Sequence, residues 1–186
     1  ILIEGLLTSI KKIHKLPATW SKNNSVARFE KAEQTNNTVL FADYDAVQSE
    51  IYWIKNLDVY DSKSEPVVNL FNSYFGGDMG SIVFQTIRES KALAYSTYAF
   101  VMTPSKKDDK FSMVAYVGSQ ADKMNDAVKG MNELLNEMPK SDQNFENART
   151  SLLKNIETDR VTQDGIILNY LNAKRKGLDH DIRKDN

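Results

Sequence analysis

No part of this sequence constrains the fold more than residues 70–101, which read LFNSYFGGDMGSIVFQTIRESKALAYSTYAFV. A helix enters this run from Glu65–Pro66, with proline at the first helical position, where its missing N–H costs nothing. Val67, Leu70, Phe71, Tyr74 and Phe75 recur at helical spacing and form its apolar face. Gly76–Gly77 is expected to end the helix by permitting a left-handed backbone. Ser81 is placed to cap a second short helix that runs to about Lys91 and turns Val83, Phe84 and Ile87 inward. Residues 94–102 then carry the β-branched and aromatic character of a strand.

The remaining segments supply partners for these elements. Ile3, Leu6, Leu7, Ile10 and Ile13 mark an amphipathic helix over residues 1–16, stopped by Pro17. A polar stretch follows at 21–37, and residues 38–44 (TVLFADY) and 48–54 (QSEIYWI) read as strands joined by a turn near Asp45 and Ala46. Residues 103–109 form a charged turn before another strand at 111–117. Ser119 and Asp122 resemble a capping box ahead of a helix over 121–138, with Met124, Ala127, Val128, Met131, Leu134 and Leu135 as its inner stripe. Ser141 caps a further helix with Phe145, Ala148, Leu152, Leu153 and Ile156 at core spacing. Beyond Val161 the helical pattern weakens, and the charged tail from Lys174 is expected to fray. Strand pairs grouped with runs of helices predict an α+β fold, a two-layer sandwich of a mainly antiparallel sheet packed against helices. The whole of 1–186 is read as one domain excised from a longer polypeptide, since it opens on Ile1 and both ends look cut through structure.

Composition narrows the chemistry. Twenty-four basic and 25 acidic residues leave a net charge of −1, without the basic footprint of a nucleic-acid binder. No apolar run approaches the roughly 20 residues that span a bilayer. The absence of cysteine removes disulfides, thiolate metal sites and cysteine nucleophiles together. The two histidines, His14 and His180, stand far apart and form no helical ligand pair, so no metal site is expected in this chain. There is no Gly-x-Ser-x-Gly elbow. GGDMG at 76–80 precedes a helix but lacks both the Gly-Lys-Ser/Thr ending of a P-loop and dinucleotide-loop spacing. It reads as a tight connection rather than a phosphate cradle.

With those chemistries set aside, the motif itself resembles the signature of the C-terminal, non-zinc domain of insulinase/pitrilysin-type metallopeptidases, the relatives of the mitochondrial processing peptidases. That signature has a helix ending in Leu-Gly-Gly, a Gly/Met-Ser-Ser linker, a helix with Leu-Phe-x-x-Leu-Arg-Glu, and a strand opened by Gly-Leu-Ala-Tyr-Ser. The matching positions are 75–77, 79–81, Val83 and Phe84 with 87–89, and 92–96. Gly80 stands where the family usually has serine, Ile82 where it often has arginine, and Ala92 where it usually has glycine. The family's glycine is expected to ease the helix-to-strand turn.

The resemblance implies two similar domain types facing each other. One carries zinc on His-x-x-Glu-His; the other reaches across with an arginine and a tyrosine, which fall here on Arg88 and Tyr95. On that basis Arg88 and Tyr95 bind substrate, and the Tyr95 phenol also polarises the scissile carbonyl across from the zinc. The expected partners are a zinc-bearing companion domain or subunit and a peptide, with neither nucleic acid nor a membrane span, and possible self-association through the domain-pairing face. An extracytoplasmic, periplasmic-type location is expected. Taken without the motif, an Arg–Glu pair on a short helix is ordinarily a solvated face and a strand tyrosine ordinarily packing. The alternative function is a catalytically inactive paralogue serving as scaffold or peptide-binding module.

Overall fold

In a computed structural model, which describes residues 2–15, 17–19 and 29–184, the chain divides into two compact units, Ile1–Glu30 and Lys31–Asn186. The first contains helix α1, Leu2–Ile13, whose apolar residues Ile3, Leu6, Leu7, Ile10 and Ile13 are exposed.

The second unit is built on three antiparallel strands: β1 (Gln48–Val59), β2 (Ser96–Met102) and β3 (Lys110–Gln120), ordered β1-β3-β2. The α+β class expected from the segment pattern is the one observed. Trp53 pairs with Ala115 and Ala115 with Ala99, while one residue along Tyr52, Tyr116 and Tyr98 align. Successive strand residues face opposite ways, so these two rows define the two faces of the sheet. The first row faces the core, where Ala99, Ala115 and Val117 meet Phe75, Val83, Ile87, Met131 and Leu134. The second stacks three tyrosines across the other face, with ring centroids 4.8 and 4.9 Å apart.

Helix α2 (Glu65–Phe75), a π-helical segment (Phe84–Ser90), α3 (Met124–Asn136) and α4 (Asp142–Thr158) follow the predicted order, and α5 (Gln163–Arg175) closes the chain. Ser141 caps α4 as expected, accepting from the Asn144 amide at 3.3 Å. The stripe of α3 is buried at Ala127, Met131 and Leu134. On α2 the expected stripe holds at Tyr74 and Phe75, which are buried, and at Leu70 and Phe71, which pack against the core, whereas Val67 is exposed. Phe145 and Leu153 on α4 also remain well exposed.

Several local expectations are corrected. Residues 38–44 form no strand: Val39, Leu40, Phe41 and Tyr44 are exposed and unladdered. Strand propensity is largely packing on a pleated surface, and here no neighbouring strand supplies that surface. Gly76 and Gly77 do not enter the left-handed region; Gly77 is not among the positive-φ residues, and Gly76 has φ −159. Both glycines are needed for space. A Cβ on Gly76 would lie 2.3 Å from the Ala99 carbonyl oxygen, and one on Gly77 2.7 Å from that of Asn72. Ser81 caps nothing, because its hydroxyl donates back to the Asp78 carbonyl at 2.6 Å. Ser119 belongs to β3 and donates to the Leu93 carbonyl at 2.6 Å, so it opens no capping box.

Nor is the tail frayed through Lys184. Lys176 Nζ lies 2.6 Å from Glu65 Oε1, both side chains largely buried, and over the Tyr60 ring at 5.4 Å. Tyr60 donates to the other Glu65 oxygen at 2.7 Å, and the Lys107 amide to the Arg175 carbonyl at 3.1 Å. A lysine reaching a buried carboxylate thus ties the end of α5 to the start of α2. Among the described residues, no helix is long and apolar enough to cross a membrane.

Candidate functional site

The two residues singled out by the motif lie on either side of one abrupt turn. The segment before it widens to π-helical geometry, with the Lys91 amide bonded to the Thr86 carbonyl at 3.0 Å and that of Leu93 to Ile87 at 2.9 Å. Ile87 is fully buried and anchors the segment to the core. Such π turns are uncommon and concentrate at functional sites.

The chain then reverses at Ala92, whose φ of +47 makes it the only non-glycine residue in the left-handed region among those described. This is the position where glycine is the easier residue. An alanine here costs of order 1 kcal/mol of backbone strain, so the surroundings must over-determine the turn. They do so from β3 and the residue run after it. Lys123 Nζ donates to the Ala92 carbonyl at 3.1 Å, Ser119 Oγ to that of Leu93, and the Tyr95 amide to the Gly118 carbonyl at 2.9 Å. The fourth bond reaches the side chain: Gln120 Nε2 donates to the Tyr95 hydroxyl at 2.7 Å.

Tyr95 therefore leaves the turn with its backbone and its phenol both tied to β3, yet remains 59% exposed. It lines a shallow cavity of about 80 Å³ with Ala92, Leu93, Ala94, Gln120 and Lys123. Arg88, on the π-helical segment, is also exposed. Its guanidinium lies 4.9 Å from the Phe84 ring centroid, and its Nε 3.9 Å from Glu89 Oε1. A single exposed ion pair of this length is worth little, and an exposed cation–π contact about 0.5–1 kcal/mol, so the fork is free to turn to a ligand. Arg88 and Tyr95 share no hydrogen bond or ring contact, and Arg88 does not line the cavity.

Gln120 and Lys123 were not among the residues the sequence singled out. Their signal was the continuation of the 111–117 strand past Val117, which carries Gly118, Ser119 and Gln120 alongside the turn. No group of three His, Cys, Asp or Glu side chains among the described residues could hold a metal ion. His180 is engaged with Asp179, its Nδ1 2.8 Å from Oδ1. Zinc does not fit this donor set.

The profile of the peptidase M16 inactive domain matches residues 2–152. The chain belongs to that family. It is the insulinase/pitrilysin-type C-terminal domain, and the turn carrying Tyr95 lies inside the matched span. A protease from Helicobacter pylori has the same fold, with a TM-score of 0.70 at 10% identity, covering 98% of this chain and 45% of that one. A peptidase M16 inactive domain from Pseudomonas fluorescens aligns over 72% of this chain and 31% of its own, with a TM-score of 0.54 at 16% identity. The chain thus spans less than half of either structure. No curated protein sequence matches it.

Proposed function

We propose that this M16 inactive domain is the substrate-gripping half of a zinc metallopeptidase that cleaves unfolded or short peptides. The observation that carries the reading is Tyr95: an exposed phenol at a cavity mouth, on a turn held by four hydrogen bonds from one neighbouring segment. Zinc on a companion domain would supply an activated water. The residues of this chain would do the rest from across the cleft. Tyr95 would donate its hydroxyl hydrogen to the scissile carbonyl oxygen as negative charge gathers there, the role of an oxyanion-hole donor. Arg88, presenting a rigid fork of donors, would swing from the Phe84 ring to peptide carbonyls or a carboxylate.

Cleavage of quenched unstructured peptides by the full polypeptide with its companion domain tests this. A chelator is expected to abolish turnover, and Tyr95→Phe to lower kcat by roughly 10²–10³. Arg88→Ala is expected to act on KM as well as kcat, because a peptide is gripped before and during reaction. The second reading is a catalytically inactive scaffold, in which Arg88 stays against Phe84 and Glu89. A full polypeptide that binds peptide but never cleaves it would establish that reading instead.

A further inference from the structure

We infer that Gln120 is a positioning residue, holding the Tyr95 hydroxyl so that its hydrogen is kept for the substrate; this rests on the peptidase reading of Tyr95 given above. A phenol has one hydrogen to give and lone pairs to receive. Gln120 Nε2 donates into one of those lone pairs at 2.7 Å. The bond consumes acceptor capacity and leaves the hydrogen unspent. With the phenol exposed and a lone pair taken by Gln120, that hydrogen is left for a carbonyl arriving from outside. An accepted hydrogen bond also polarises the hydroxyl and strengthens it as a donor.

Two further features fit this role. Gln120 is the last residue of β3, and the Tyr95 amide is bonded two residues earlier on the same strand, at Gly118. Main chain and phenol are therefore registered against one rigid strand, which fixes the ring without burying it. The carboxamide is also the right group for the task. A carboxylate at this position could only accept, and would draw the phenolic hydrogen inward, away from the cleft.

The test uses the full polypeptide with its companion domain and a quenched peptide, comparing Gln120→Glu and Gln120→Met, alone and in the Tyr95→Phe background. Both substitutions keep the side chain's length and leave the other three bonds of the turn in place. Gln120→Glu is expected to lower kcat by roughly tenfold or more, the rate equivalent of one ordinary hydrogen bond or better. Gln120→Met should lower it less, and KM should hold in both, since the interaction matters only as charge develops. With Tyr95→Phe already present, neither substitution should cost anything further. If Tyr95→Phe is slow but both Gln120 variants match the wild type, or their losses multiply with that of Tyr95→Phe, the inference is overturned and the peptidase reading survives. Absence of cleavage by the unmodified polypeptide would overturn both.

Discussion

The two edges of the sheet are treated in different ways, although each uses the same device. On the β2 edge, the Asn72 carboxamide stands in for a strand's peptide group, donating to the Val101 carbonyl at 3.0 Å and accepting its amide at 2.7 Å. The Gly76 carbonyl receives the Ala99 amide at 3.2 Å alongside it. On the β1 edge, Gln34 does the same to Ile54 and Asn56, at 3.1 and 2.6 Å. Asn72 is delivered by a helix packed into the core, and the C-terminal end of that helix lies against β2 itself. Gln34 is delivered by an irregular segment held by polar contacts, among them Asn56 to the Ala32 carbonyl at 2.9 Å and Lys31 to Ser112 at 2.7 Å. An edge closed by a packed helix is part of the fold, whereas one closed by a polar strap is an attachment to it. Exposed strand edges invite further pairing, and the two edges should differ accordingly in what they cost to open.

Three substitutions measure that difference. The largest effect is expected of Gly76→Ala, which forces a methyl group against the Ala99 backbone at a separation no real Cβ tolerates. Overpacking against main chain costs about 3 kcal/mol, so the thermal midpoint should fall by several degrees. Asn72→Ala removes two half-buried bonds and should cost about 2 kcal/mol in urea unfolding, at about 1 kcal/mol each. Gln34→Ala removes bonds of the same kind and number, yet in an exposed setting the loss should stay below about 1 kcal/mol, because water replaces them. Equal losses at Asn72 and Gln34 would break the comparison. A Gly76→Ala protein as stable as the parent would show that the β2 edge can shift to make room.

Legibility in the sequence follows the same division. Helix order, the antiparallel core and the placing of Arg88 and Tyr95 on either side of one turn could all be read, because a periodic stripe and a contiguous motif each carry their information in nearby residues. The turn at Ala92 was legible too: where the family's glycine is expected to ease the passage from helix to strand, Ala92 takes a φ of +47. What could not be read depends on residues brought together across the sheet. Gln120 meets Tyr95 from 25 positions away, through the register of β2 on β3. Lys176 meets Glu65 from 111 away, so a charged tail looked loose when its lysine had a buried partner. Residues 38–44 erred in the opposite direction. They carry every local mark of a strand, but a strand is completed by its neighbour, and Gln34 engages β1 with a side chain rather than a backbone ladder. The serines at 81 and 119 misled because a hydroxyl near a helix start caps only if the preceding turn leaves it free.

The tyrosine row links the two edges, since Tyr52 belongs to β1 and Tyr98 to β2, with Tyr116 between them. Burial pushes the Tyr98 phenol above its ordinary value, and the Tyr52 phenol and the Glu50 carboxylate push the same way. Burial likewise raises Tyr116, assisted by Glu50, Tyr52 and Tyr98. The folded state therefore prefers these phenols neutral, while in the unfolded chain they ionise near pH 10. Stability from this source is complete below about pH 10 and is lost as pH rises from there through the folded-state values, because the unfolded chain releases its protons first. Urea midpoints measured from pH 8 to 11 should hold level and then decline. Tyr98→Phe should shallow the decline by removing one titrating group. Tyr52→Phe should shallow it too, although Tyr52 stands on the other edge strand, by removing a neighbour that disfavours the Tyr98 phenolate. A slope unchanged by Tyr52→Phe would mean that the tyrosines titrate independently and that the row carries no coupling between the edges.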